Sequence, residues 1–253
     1  MDAGIAARIA RLVVEGSPPG EASRVLEIGP GTGALTHALL ESGAAVTAID
    51  VDRDMIGILR SRSELAGAHI IEGDALHFDY ASFAREGRWR VAGNLPYNIA
   101  TPLIMRFVEM PRGPERLVVM LQKEVAERLA AKPGTRAYGS LSVAVQYAMT
   151  IDKLFTLKPG AFYPRPKIDS TLVQLTRRPA PAVRVTDERR FLQVVRAAFA
   201  YRRKTLANSL SLALSLPRSA VTQALLQIGL DTEIRGEQLG LDDFARLAGH
   251  LPG

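Results

Sequence analysis

The sequence predicts an α/β protein in which a doubly wound, Rossmann-like sheet is followed by a small all-helical domain. In the first two-thirds of the 253 residues, short apolar runs alternate with helical patterns, and such βαβ units build parallel sheets. Residues 183–253 carry apolar residues at helical spacing only. Hydrophobic residues make up 47% of the chain, which is enough for a substantial core.

The individual elements follow from apolar periodicity and from the glycines that interrupt it. Short apolar runs predict consecutive strands over residues 24–29, 44–50, 69–74, 90–94 and 116–122. Helical spacing predicts helices over residues 5–14, 34–43 and 54–62. Two later apolar segments are expected to extend the sheet, as antiparallel strands, over residues 141–149 and 170–177.

The prolines and small residues of "RRPAPAVR", residues 177–184, predict a linker. We therefore expect one domain over residues 1–178 and a second over residues 183–253. In the second domain, one apolar helix face is formed by Phe191, Val194, Val195, Ala198 and Phe199.

Net charge, cysteine content and hydropathy limit the classes of function that are possible. The net charge of +6 and the isoelectric point of about 9.8 suit a polyanionic partner. The absence of cysteine excludes disulfides and thiol catalysis, and the four histidines lack metal-ligand spacing, so no metal is expected. No apolar run reaches the ~18 residues of a membrane helix, and the N-terminus lacks a signal-peptide core. We expect a cytoplasmic monomer with no membrane partner.

The first predicted strand ends in a glycine turn, Gly29-Pro30-Gly31-Thr32-Gly33, which opens a helix. Glycines let a ligand approach the backbone, and a helix N-terminus offers unpaired N–H groups. Asp50 ends the second strand, where a carboxylate can accept ribose hydroxyls. This pattern suits NAD and S-adenosylmethionine alike, and a tight turn without a ligand is the third alternative.

Two details favour S-adenosylmethionine. Glu27 and Gly33 complete the stretch "EIGPGTG", which resembles the first motif of the S-adenosylmethionine-dependent methyltransferases. Asp74 closes the third strand, where its carboxylate can accept an adenine amino group while the Ala75 N–H meets a ring nitrogen. Taken alone, Asp74 is better explained as a helix cap or a turn former. Val51, after the second strand, completes the predicted donor site.

The stretch "GNLPYNI", residues 93–99, follows the fourth strand and makes a poor strand and a poor helix. Ligands of doubly wound sheets bind outside the carboxyl ends of the strands, so this loop is expected beside the donor. The Asn94 side-chain oxygen and the Leu95 carbonyl, directed by Pro96, can accept both N–H bonds of a nucleobase amino group. Tyr97 can stack on that base. A plain turn is the alternative.

The longer stretch "GNLPYNIATPL" resembles the rRNA adenine N6-dimethyltransferases. Further stretches are similar, in order and across nearly the whole chain, to the bacterial small-subunit branch, the KsgA/RsmA family: "VLEIGPGTGALT", "DVDRDM", "GDAL", "MLQKEVAERL", "YGSLSV", "AFYPRPKIDSTLV" and "RRKTLANSL". The resemblance implies a class I methyltransferase sheet and S-adenosylmethionine as cofactor. It also implies dimethylation at N6 of two adjacent adenosines in the 3′-terminal hairpin of 16S rRNA, during small-subunit assembly, with no DNA partner.

Carried over by position, the resemblance implies that the donor is bound by Gly29, Asp50, Asp74 and Asn94. It implies that Asn94 to Tyr97 hold the target adenine and that Phe162 forms the second aromatic wall of the base pocket. Without the resemblance, Phe162 would be interpreted as a core aromatic residue.

Two departures from the family pattern matter. Asp50 stands where the family usually has Glu, and we expect this change of one methylene to be tolerated. The family also has an N-terminal basic arm with a Gly-Gln-Asn-Phe-Leu run over the donor. This chain begins after the position where that run would end, so we expect weaker closure over the donor.

Basic residues concentrate near the predicted domain boundary, where residues 177–204 contain nine basic residues and two acids. The densest part is expected to bind RNA phosphates through Arg202, Arg203 and Lys204, with a solvated helix face as the alternative. A second candidate patch, expected on the first domain, consists of Lys123, Arg128 and Arg136. We expect the RNA to lie between the two domains.

Three other functions stay open at this point. A large-subunit rRNA methylase of the resistance type is opposed by the stretches "YGSLSV" and "RRKTL". An RNA-binding ribosome-assembly factor would need no catalysis. An NAD-dependent oxidoreductase is permitted by the glycine loop, but no acid or base suited to hydride transfer accompanies that loop.

Overall fold

The computed structural model describes residues 2–18, 20–158, 160 and 168–252. The chain divides into two compact units. An α/β unit comprises Met1–Ala126 and Thr150–Arg177, and a helical unit comprises Glu127–Met149 and Arg178–Gly253. No helix among the described residues is both long and apolar enough to cross a membrane.

One mixed sheet forms the centre of the α/β unit. Its strands are β1 (Arg24–Ile28), β2 (Ala45–Asp50), β3 (His69–Glu72), β4 (Arg90–Asn94), β5 (Arg116–Gln122), β6 (Met149–Leu157) and β7 (Ser170–Arg177). They lie in the order β3-β2-β1-β4-β5-β7-β6, with the first five parallel and β7 antiparallel to β5. The predicted doubly wound sheet is therefore confirmed.

Eleven α-helices are found among the described residues. Helix α1 (Ala3–Val14) precedes β1. The helices after the first five strands are α2 (Ala34–Glu41), α3 (Arg53–Ser61), α4 (Tyr80–Arg85), α5 (Tyr97–Glu109) and α6 (Lys123–Leu129). The helical unit continues with α7 (Ser140–Ala148), α8 (Glu188–Ala200), α9 (Leu206–Leu214), α10 (Arg218–Gln227) and α11 (Leu241–His250).

The segment 141–149, which the sequence analysis predicted as a strand, forms helix α7 instead. Seven of its nine helical residues are buried, so its apolar run carries no periodicity that separates helix from strand. Tyr147 lies with its ring centroid 4.6 Å from that of Phe191 on α8, which explains why residues 127–149 belong to the helical unit. The sequence-based division had placed this segment in the first domain.

The order of the strands reverses between β1 and β4. Ligands of doubly wound sheets bind at such a reversal, outside the carboxyl ends of the strands. At this end Gly93 pairs with Ile28 across the two strands, with φ at +148°. A Cβ on Gly93 would lie 2.3 Å from the Ile28 carbonyl oxygen, so only glycine fits this position.

We expect Gly93→Ala to lower the free energy of unfolding by at least ~2 kcal/mol, because a side chain meets backbone and the φ angle is strained. Urea unfolding measures this change. The matched control is Gly57→Ala in α3, where a Cβ meets nothing within 4 Å and alanine adds about 0.5–1 kcal/mol of stability. Equal stability of both variants would contradict the constraint at Gly93.

Candidate functional site

A cleft of about 320 Å³ opens at the carboxyl ends of the parallel strands. The structure brings six predicted site residues together in its lining: Gly29, Asp50, Val51, Asp74, Ala75 and Pro96. The lining also includes residues that the sequence analysis did not identify, among them Leu76, Asn98 and Ile99. Five predicted residues stand outside the lining, namely Glu27, Gly31, Gly33, Asn94 and Leu95.

The glycine loop follows β1 and brings two loops close together. Gly29 has φ at +69°, and a Cβ there would lie 3.6 Å from the Asn94 carbonyl oxygen and 3.9 Å from Pro96 Cδ. Gly33 has a packing role, because a Cβ would lie 2.5 Å from Leu65 Cδ1. The glycine loop is thus in near contact with the loop after β4.

Glu27 is a buried acid behind the glycine loop, with an exposed fraction of 1%. Its carboxylate accepts a hydrogen bond of 2.6 Å from the hydroxyl of Thr36, which is fully buried on α2. Burial, and to a smaller extent the charge of Asp50, raises the pKa of Glu27 to about 7, although the Thr36 hydrogen bond acts in the opposite direction. The sequence analysis did not identify Thr36.

The end of β2 supplies a carboxylate and an apolar surface side by side. Asp50 Oδ1 accepts a 3.0 Å hydrogen bond from the Asp52 N–H, which holds the turn after the strand. Val51 is 72% exposed although it is apolar. An exposed apolar side chain in a cleft suits a flat apolar ring, and a neighbouring carboxylate suits hydroxyl groups.

Asp74 follows β3 and is held by its own loop. Its Oδ1 accepts a 2.8 Å hydrogen bond from the Leu76 N–H, and its Oδ2 lies 2.7 Å from His77 Nδ1. The Leu76 hydrogen bond, followed by the His77 contact, lowers the pKa of Asp74, so this carboxylate stays ionised and keeps lone pairs for a ligand. The sequence analysis predicted no functional role for His77, because the spacing of the histidines does not fit a metal site.

Arg106 of α5 braces this same loop, and the sequence analysis missed it. Its guanidinium donates hydrogen bonds to the carbonyls of Leu76 and Phe78, the second at 3.3 Å. It also lies 4.8 Å from the ring centroid of Tyr80, whose hydroxyl donates a 2.7 Å hydrogen bond to the Ala75 carbonyl. Charged donors to loop carbonyls make strong hydrogen bonds.

The loop after β4 leads directly into α5. Pro96 is the N-cap residue of this helix, and the Leu95 side chain is buried. Asn94 is exposed, and its side chain makes no hydrogen bond to any residue in the part of the chain that the structure describes. The Tyr97 side chain and Phe162 lie outside the described residues.

The predicted basic residues do not group as the sequence analysis expected. Lys123 belongs to the α/β unit, whereas Arg128 and Arg136 belong to the helical unit, because α7 packs there. Arg202 donates a hydrogen bond to the Arg136 carbonyl and lies 3.7 Å from the carboxylate of Glu237. The second patch on the first domain was therefore wrong in part, and part of the Arg202 charge is used within the protein.

The raised pKa of Glu27 makes a pH-dependent prediction. The folded state prefers the protonated acid, so this contribution to stability is full below about pH 4.5 and is lost as the pH rises through about 7. Because one pKa unit corresponds to about 1.4 kcal/mol, Glu27→Gln should gain up to about 3 kcal/mol relative to the wild type between pH 4 and 8.

Urea unfolding of both proteins without ligand, across that pH range, measures this difference. Glu124→Gln on the first turn of α6 is the control and should follow the wild type. If the free energy of unfolding changed with pH in the same way for the wild type and Glu27→Gln, the raised pKa of Glu27 would be contradicted.

Comparison with known proteins gives the family. The family model described as ribosomal RNA adenine dimethylase matches residues 6–249. Ribosomal RNA small subunit methyltransferase A of Pseudomonas aeruginosa is 45% identical over 252 residues, covering 99% of this chain and 90% of that protein. The protein of the same name from Hahella chejuensis is 43% identical over 252 residues, covering 99% and 89%.

Solved structures show the same fold. A dimethyladenosine transferase from Plasmodium falciparum superposes with a TM-score of 0.76 at 25% identity, covering 97% of this chain and 94% of that one. The 23S rRNA methyltransferase ErmE gives a TM-score of 0.70 at 24% identity, covering 99% and 98%, and supports the fold alone. With its cleft, its glycine loop and its Asn-Leu-Pro-Tyr loop at one end of the sheet, the chain belongs to the ribosomal RNA adenine dimethylase family.

Proposed function

We propose that this protein dimethylates N6 of two adjacent adenosines in the 3′-terminal hairpin of 16S rRNA, in the cytoplasm, as a step of rRNA processing and ribosome biogenesis. The small-subunit methyltransferases that it resembles at 43–45% identity support this substrate. The observation that carries the proposal is the approach of Gly29 to Asn94 and Pro96, because it sets a donor loop beside an acceptor loop.

The cleft fits S-adenosylmethionine, the methyl donor of this family. Asp50 accepts the ribose hydroxyls, Val51 offers an apolar face to the adenine, and Asp74 with the Ala75 N–H binds its polar edge. When bound, S-adenosylmethionine supplies an electrophilic methyl group. The ionised carboxylate of Asp74 is suited to this positively charged ligand.

The acceptor side is built by the loop after β4. The lone pair of an adenine amino group is delocalised into the ring, so the group needs orientation more than it needs a strong base. The Asn94 oxygen and the Leu95 carbonyl accept its two N–H bonds and turn the nitrogen lone pair toward the cleft. After the first methylation one N–H remains, which either acceptor can hold for the second round.

Methyl transfer to unmodified small-subunit particles tests this function directly. Mass spectrometry of the digested RNA should find dimethyladenosine at two adjacent positions. The methyl donor in this assay is S-adenosylmethionine with a labelled methyl group. If the label appeared on a large-subunit RNA or on no RNA, the proposed substrate would be wrong.

Asn94→Ala should lower kcat for methyl transfer by about 10²- to 10³-fold, because one of two acceptors that orient the amino group is lost. Asn98→Ala is the matched control, since Asn98 lines the cleft but has no part in the proposed chemistry. Asn98→Ala should lower kcat by less than about tenfold. Full activity of Asn94→Ala would mean that the protein acts without this residue.

Arg106→Ala should weaken donor binding by about tenfold or more, because the Asp74 loop loses two charged hydrogen bonds. Calorimetric titration with S-adenosylmethionine measures the Kd. Arg60→Ala is the control, because Arg60 also donates to a backbone carbonyl, that of Ile70, but not in this loop. Equal Kd values for the two variants would show that the hydrogen bonds from Arg106 to the Asp74 loop do not contribute to donor binding.

A further inference from the structure

The turn between α8 and α9 exposes an aromatic side chain among cations. Tyr201 is 43% exposed, and the three residues that follow it, Arg202, Arg203 and Lys204, are exposed as well. Its hydroxyl makes no hydrogen bond to any residue that the structure describes. An exposed aromatic ring beside cations offers a face on which a base can stack while the cations bind phosphates.

The backbone of this turn is fixed, so the exposure is a built feature. The Tyr201 N–H donates to Ser209 Oγ at 3.3 Å, and the hydroxyl of Ser209 donates to the Ala197 carbonyl at 2.7 Å. The Lys204 N–H donates to the Tyr201 carbonyl at 2.9 Å. A turn held at both ends presents its side chains in a constant direction at low entropic cost.

A second basic segment is fastened beside this turn. The Gly134 N–H donates to the Glu237 carbonyl at 2.7 Å, and the buried Tyr138 hydroxyl donates to the Leu239 carbonyl at 2.9 Å. Arg202 completes the attachment through the Arg136 carbonyl and the Glu237 carboxylate. Arg136, itself exposed, is thereby brought next to the turn although it is 66 positions away from Arg202 in the sequence.

We propose that Tyr201 stacks on an unpaired base of the RNA substrate while Arg136, Arg203 and Lys204 bind the phosphates on either side. This inference rests on the proposed function, since it requires an RNA substrate. Surfaces that bind single-stranded RNA combine aromatic faces with cations in this way. Arg202 acts here by holding Arg136 in place, and its guanidinium lies 3.7 Å from the Glu237 carboxylate, which offsets part of that negative charge.

The loss of a stacking contact and the loss of a charge change the salt dependence of RNA binding in different ways. Binding of small-subunit particles is measured by filter retention at several salt concentrations for the wild type and the variants. Tyr201→Leu should weaken binding about tenfold with an unchanged slope of log affinity against log salt, and Tyr201→Phe should bind like the wild type. Lys204→Gln should lower the affinity and reduce the slope by about 0.7–0.9.

Leu226→Ala, on α10 and 63% exposed, is the control for an exposed apolar residue of the same unit, and its binding should be unchanged. Wild-type binding by Tyr201→Leu, or a loss in Tyr201→Phe as large as that in Tyr201→Leu, would overturn the stacking role. A wild-type protein that neither binds nor methylates the particles would overturn the proposed function instead.

Discussion

The close parallel pairing of β1 with β4 is the constraint on which the site depends. At the carboxyl end of this pair, Gly93 lies against the Ile28 carbonyl, and a side chain at this position would clash with that carbonyl. The chain leaves β1 at Gly29, and β4 ends at Asn94 and continues as Leu95 and Pro96. The two loops can therefore meet in the crevice where the strand order reverses, which is where a doubly wound sheet binds its ligands.

The loops around the cleft are held by residues that do not line it. Thr36 binds the buried carboxylate of Glu27 beneath the glycine loop, and Arg62 donates a hydrogen bond to the Thr32 carbonyl within that loop. Arg106 holds the loop that carries Asp74, and it does so from α5, the helix that starts at the acceptor loop. A transferase that works mainly by positioning two substrates needs such rigid support, since small displacements cost large factors in rate.

Much of this arrangement could be predicted from local sequence. Apolar runs identified six of the seven strands. Gly29 after β1, Asp50 at the end of β2 and Asp74 after β3 line one cleft, as the sequence predicted. Helix α7 could not be recognised, because burial on nearly every face removes the periodicity. Arg106 and the Arg202 attachment escaped detection for another reason: their carbonyl partners lie 30 and 66 positions away, and such contacts leave no local pattern.

The most direct test of this account is a crystal structure of the protein with S-adenosylhomocysteine and adenosine. The account predicts the ribose of the donor product on Asp50, its base beside Val51 and Asp74, and the amino group of the adenosine on the Asn94 side-chain oxygen. Binding of the donor product away from the Gly29–Asn94 approach would contradict it. So would an adenosine whose amino group faces away from Asn94.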